Sequence, residues 1–195
     1  MWSFVIAFGL VLIYMLFFYS KGAGLAADIA LFTNLFFLFG VLASIGAVLT
    51  LPGIAGIVLT MGMSVDANVL IYERIQEELR AGKGLRLAIK EGYKQAYSAI
   101  IDGNVTTLLT GFILYYFGEG PIKGFATTLI IGIFTSLFCA IFITRIILDN
   151  ASKKNDNVRF TTPFTANWLQ DVHFPFLERR KVGYTVSGII TVVCL

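Results

Sequence analysis

The sequence predicts an all-α polytopic membrane protein, a bundle of five complete transmembrane helices and a truncated sixth. Three observations carry that prediction. Of the 195 residues, 57% are hydrophobic and 14% charged, with mean hydropathy +0.80; a soluble domain is about half apolar and a quarter charged. The apolar residues come in long blocks, and a membrane-crossing helix needs roughly 20 of them. The cations are sorted as well: 14 of the 15 Lys and Arg fall in alternate loops.

Residues 2–19 carry no charge. They lack the basic flank and the small-residue cleavage site of a signal peptide. Met1 stands directly at this span, so the chain reads as a fragment whose natural beginning is missing. The second block, 25–51, has one acid at its edge, Asp28; the third is 52–72, the fourth 98–117 and the fifth 122–148. The last, 182–195, is cut off by the end of the chain. Lys21, the loop 73–97 and the segment 145–181 hold the 14 cations, and the other side holds only Lys123. By the positive-inside rule loops 73–97 and 149–181 are cytoplasmic and loop 118–123 lies on the opposite side of the membrane, the periplasmic side if that membrane is a bacterial inner membrane.

Between the third and fourth spans, the third helix runs on past Tyr72 as a polar helix to about Ala81, and Gly82-Lys83-Gly84 breaks it. Leu85, Ala88, Ile89, Gly92, Tyr93 and Ala96 then recur at helical spacing beside a basic row, Arg86, Lys90 and Lys94. That pattern predicts a short amphipathic helix lying on the inner membrane surface, against lipid head groups. Residues 149–181 form a linker, polar and flexible over 151–157. Phe164, Trp168, Phe174 and Phe176 hold its later part against the bilayer. The division is thus 1–148 membrane helices, 149–181 linker, 182–195 opening of a second helical set.

The same facts exclude several classes. The net charge of +3 reflects topology, and there is no basic soluble domain for nucleic acid. Cys139 and Cys194 lie in apolar spans as small hydrophobes, and His173 lies in the linker. No Cys/His cluster has metal-ligand spacing, and no phosphate loop or nucleophile elbow occurs. Neither an enzyme nor a cofactor or metal site is predicted. Asn104-Val105-Thr106 matches a glycosylation acceptor but falls within a span.

Two spans carry a packing signature. In the fifth, Gly124, Thr128, Gly132, Ser136, Ala140 and Thr144 repeat every four residues, a stripe that lets a neighbouring backbone come close. In the third, Gly56, Thr60, Ser64 and Asn68 form a similar stripe. At about 100° per residue, Ala55, Gly62, Asp66 and Glu73 fall on the opposite side. A helix with small or polar residues on two opposed faces is expected at the centre of a bundle.

Asp66 lies about 9 Å above the cytoplasmic end of its span, counted from Tyr72. The fourth span reads SAIIDGNVTTLLTG. It places Asp102 about 6 Å deep and Asn104, Thr106 and Thr107 about 9 to 14 Å deep. The two helices are expected to bring one polar layer to one height, with Asn34 of the second span approaching from a little higher. A carboxylate at such depth costs about 2.5–3.5 kcal/mol, and no Lys or Arg of this chain stands at that height. The reading is a carboxyl whose proton affinity is raised by desolvation, so that it loads and releases a proton. The plainer alternative is a protonated Asp that only bonds neighbouring helices.

These residues carry a resemblance. GMSVDANVLIYERIQEEL (62–79), TLPGIAG (50–56) and the segment 98–145 resemble the membrane part of SecD, and FPFLERRKVGYTVSGII (174–190) resembles the opening of SecF. The chain is similar to fused SecDF proteins of the resistance–nodulation–division (RND) superfamily. The resemblance implies an RND-type helix bundle in the bacterial inner membrane. It implies an accessory subunit that assists the SecYEG translocon and SecA, with protons as coupling ion and unfolded preproteins held by periplasmic domains. On it, Asp66 is the proton-carrying carboxylate, and Asn68, Asp102, Asn104, Thr106 and Thr107 line the same region. The facing carboxylate and arginine belong to the remaining SecD/SecF half. A small-molecule or lipid exporter of the same superfamily, or a passive scaffold, would use the same polar layer.

Overall fold

The computed structural model describes residues 2–154, 160, 183–185, 187–188 and 190–191. Within them six α-helices follow in order: α1 Trp2–Phe18, α2 Lys21–Ser44, α3 Leu51–Arg80, α4 Leu85–Phe117, α5 Pro121–Phe138 and α6 Thr144–Lys154. A π-helical turn, Cys139–Ile143, joins the last two into one rod. Four stretches are long and apolar enough to cross a membrane: Gly22–Ser44, Leu51–Arg80, Leu85–Phe117 and Pro121–Lys153; α1 is a shorter apolar helix. The chain divides into two compact units, 1–162 and 163–195. In the second unit the described residues 183–185, 187–188 and 190–191 are helical. Phe164, Trp168, His173, Phe174, Phe176 and Cys194 lie outside the described residues.

α1 and α2 form a tight hairpin. Ala23, Ala26, Ala27 and Ala30 are buried, and a Cβ on Gly24 would come within 2.8 Å of the Met15 carbonyl oxygen. Small side chains let the two backbones touch. α3 begins where Thr50 accepts a hydrogen bond from Gly53 N–H at 3.1 Å, with Pro52 in the first turn. That cap satisfies one of the free amides of the helix start. α3 packs along α5, α4 and α2.

The two packing stripes meet each other. A Cβ on Gly132 would overlap the Thr60 side chain, one on Gly56 would overlap Thr128, and one on Gly124 would overlap Thr50. Thr128 and Ser136 are buried, and their hydroxyls return to the carbonyls of Phe125 and Ile133. Gly62 is different, since a Cβ there meets nothing within 4 Å. Its face of α3, with Ala55, Asp66 and Glu73, is exposed in this chain. α3 is therefore packed on the Gly56–Asn68 side and open on the other, where the sequence pattern suggested enclosure on both. Periodicity identifies a face that excludes lipid, but not which chain covers it.

The segment between the third and fourth spans differs from the expectation. The amphipathic stretch from Leu85 does not form a separate surface helix. It is the first half of α4, continuous through the fourth span to Phe117. Its apolar face packs on the polar end of α3, where a Cβ on Gly92 would lie 2.6–2.9 Å from side-chain and backbone atoms of Ile75. Ala88, Ile89 and Ala96 are buried in that seam. The partner of the amphipathic face is thus α3 rather than lipid. At 1.5 Å per residue α4 is about 50 Å long, against roughly 30 Å of hydrocarbon, so the α3–α4 hairpin projects as a stalk. Gly82, with φ of +84°, turns the chain at its tip. The polar stretch expected after Leu148 also continues as helix to Lys154, with Ser152 buried.

Phe160 ties the end of this unit to the base of the bundle. It is buried against the Tyr72 ring at 5.6 Å between centroids, and its carbonyl accepts from Gln76 Nε2 at 3.5 Å.

Candidate functional site

The single polar layer expected from depth divides into three groups in the structure. Residues two apart on a helix point about 200° apart, and height alone does not bring them together. Asp66, Asn104 and Thr107 line one cleft of about 270 Å³ between α3 and α4. Ala67, Ala99 and Gly103 leave the room for it, and Met63, Leu70 and Ile100 supply apolar walls. Asp66 is exposed at its mouth and enters no ion pair among the described residues.

Hydrogen bonding prepares the α4 side of this cleft. Asn104 Nδ2 donates to the Ile100 carbonyl at 2.8 Å, and Thr107 Oγ1 donates to the Gly103 carbonyl at 3.3 Å. Such bonds to the carbonyl four residues back use up donors. What remains for the cleft is the Asn104 carbonyl oxygen with its second N–H and the lone pairs of the Thr107 hydroxyl, beside a carboxyl, a setting suited to water.

Asp102 and Thr106 share another face of α4, and both are exposed. Ser98 Oγ lies 3.5 Å from Asp102 Oδ2, and Thr106 Oγ1 donates to the Asp102 carbonyl at 3.4 Å. Asn68 points away from both groups, into the interior. It is 1% exposed, and its Oδ1 accepts from Thr144 Oγ1 at 3.0 Å. The same hydroxyl is 3.2 Å from the Cys139 carbonyl, across the π turn.

Sequence reasoning placed Asp28 at the edge of a span. In the structure α2 begins at Lys21, and Asp28 is 7% exposed within it. The available signal was Lys21-Gly22: a helix opening there carries Asp28 two turns inward. The end of the bundle nearest the α3–α4 hairpin is held by more ordinary pairs. Tyr19 Oη lies 3.3 Å from Glu73 Oε1. Glu78 pairs with Lys83 and accepts from Gln95 Nε2. The hydrogen bond from Lys83 holds the Glu78 carboxyl below its usual range, and the same bond raises the Lys83 ammonium.

Fold and site together define a class: a polytopic helix bundle that keeps a carboxyl and polar acceptors on an uncovered face at membrane depth. The family model for "Protein export membrane protein SecD/SecF, C-terminal" matches residues 1–154. The chain belongs to the SecD/SecF family of protein-export membrane proteins. Protein translocase subunit SecD of Rhodothermus marinus is 61% identical over 140 residues, covering 72% of this chain and 22% of that protein. The SecD subunit of Koribacter versatilis is 53% identical over 146 residues, 75% of this chain and 27% of its own. Among solved structures, SecDF of Thermus thermophilus, described as a translocon-associated membrane protein, superposes with a TM-score of 0.88 at 36% identity. That match covers 98% of this chain and 26% of the SecDF chain. The chain thus spans about a quarter of the length of these relatives.

Proposed function

We propose that this chain is the membrane part of a proton-driven accessory subunit of protein export, working beside the Sec translocon SecYEG and SecA in the bacterial inner membrane. Family membership and the translocase relatives support the export role. The observation that carries the proton role is Asp66: a carboxyl within the inner half of its span, exposed on a cleft with Asn104 and Thr107. Charged, it is costly to leave against lipid. Neutral, it can be covered by a partner helix. Proton uptake and release at Asp66 would therefore change how well this face docks against the remaining SecD/SecF half. That change of docking free energy is the quantity a proton gradient can drive. Asp102 and Thr106, on the other face of α4, would line the entry side.

The test uses the intact parent protein in vesicles with an imposed proton gradient. Asp66→Asn keeps size and hydrogen bonding but removes titration. It should assemble normally, because the position is exposed in this chain, and should lose gradient-dependent stimulation of preprotein export. Asp102→Asn should lose less. Full stimulation in Asp66→Asn would leave the cleft a passive packing surface.

A further inference from the structure

α2 and α3 run antiparallel, and a hydrogen bond and a shared core cluster set their approximate register. Tyr72 Oη donates to the Ala23 carbonyl at 3.0 Å near the cytoplasmic end, and Leu38 and Ile57 share a core cluster near the other. Both place residue 28 level with residue 67, and residue 34 level with residue 61. Asn68 is then about 1.5 Å in height from Asp28, and Ser64 about 4.5 Å from Asn34. All four side chains are buried, none more than 7% exposed. In each, one polar atom has no hydrogen-bond partner: Asp28 Oδ1, Asn34 Oδ1, Ser64 Oγ and Asn68 Nδ2. The two α2 residues thus carry unmet acceptors and the two α3 residues unmet donors, at similar heights in the bundle.

Buried polar groups are almost always satisfied, by protein or by bound water. The set at the lower level is complementary: a carboxyl oxygen from Asp28 and an amide N–H from Asn68. Thr144 already holds the other end of Asn68, so Nδ2 is fixed in direction. The titratable side chains of the elements packed against α2 at this end include Tyr19 of α1, Tyr72 and Glu73 of α3, and Cys139, Arg145 and Asp149 of the α5–α6 rod. Tyr72 is within electrostatic reach of Asp28. Arg145 lies over the Tyr93 ring at 5.7 Å and beside Asp149 at 3.9 Å, half exposed, and is no counter-ion for Asp28. A buried carboxylate without a cation is expensive, and a buried carboxylic acid beside an amide and water is not.

We propose that Asp28 is a second intramembrane proton-binding carboxyl, inside the bundle and separate from the Asp66 cleft, hydrated within the bundle at the height of Asn68. A proton passes from that water to a carboxyl oxygen of Asp28 and returns the same way, with Asn68 Nδ2 orienting the water. This site stands whether or not the Asp66 cleft drives transport.

The experiment is infrared spectroscopy of the intact parent protein in lipid vesicles, titrated over pH, in an Asp66→Asn/Asp102→Asn background that removes the other two span carboxyls of this chain. A protonated-carboxyl band should remain, should titrate, and should be lost on adding Asp28→Asn. Asp28→Glu in the same background keeps a carboxyl and should retain the band at a shifted frequency, which decides the matter even if Asp28→Asn does not accumulate. A band that does not change with either Asp28 substitution overturns the assignment. So does an Asp28 band that is constant at every accessible pH, which would mark a permanently protonated structural acid.

Discussion

At the scale of single residues, Glu78 and Lys83 show what holds the stalk tip closed. Glu78 is almost enclosed, and Lys83 is its cation across the turn. Because the carboxyl titrates below its usual range, its contribution is complete above the ordinary carboxylate pKa. It is lost as pH falls through the lowered value. The raised ammonium gives the opposite limit: its contribution is complete below the ordinary lysine pKa and lost as pH rises through the raised one. Amide protection around residues 81–86 should be constant between those limits and fall outside them. Lys83→Met should lower it throughout, most clearly near neutral pH; unchanged protection would mean that the backbone turn at Gly82 holds the tip by itself. Asp66 was legible in the sequence, because a carboxylate within an apolar run has few explanations. Its grouping was not. Asp66, Asn104 and Thr107 were separated from Asn68, Asp102 and Thr106 only by helix phase, which a depth count ignores.

At the scale of elements, the fifth span carries a stripe with a period of four residues on a helix with a period of 3.6. Over the five steps from Gly124 to Thr144 an unbroken α-helix would carry such a stripe about 200° around its axis. The π turn at Cys139–Ile143 holds one extra residue in a turn and takes back about 100° of that drift. Thr144, beyond the turn, thereby returns to the buried side that Thr128 and Ser136 occupy before it and Ala140 within it. The stripe was readable in the sequence; the π turn that keeps it aligned has no comparable signature. Gly132→Leu should damage assembly, since even a Cβ there overlaps Thr60, and overpacking of this kind costs about 1–3 kcal/mol. The better control is Phe134→Leu, on the exposed face, rather than Ile133→Leu, whose position is buried. Equal accumulation of Gly132→Leu and Phe134→Leu in membranes would mean that α5 does not rest on α3 at this point.

At the scale of the whole molecule, the cation count predicts an orientation that accessibility can check. Single cysteines at 118–123 should react with an impermeant thiol reagent from outside intact cells, and cysteines at 82–84 should not. Labelling at position 83 would invert the assignment. The open face of α3 and α4 is the other large-scale feature, and single-chain reasoning could only misplace it: a polar stripe says that lipid is excluded, and it does not say what covers the face instead. The projecting hairpin has a mechanical meaning. Asp66 lies 14 residues from the end of α3, about 21 Å along the axis. The close seam at Gly92 and Ile75 makes the two helices beyond it one stiff rod. A tilt of about 10° pivoting at the depth of Asp66 would sweep the tip sideways by about 4 Å, by the geometry of a rod of that length. A spin label at position 83, measured against one at position 19 in the intact protein, should register such a sweep when pH is changed. A fixed distance would show that the rod does not swing. A hairpin that swung in this way would act as a lever, with its fulcrum at the depth of Asp66 and its tip at Gly82.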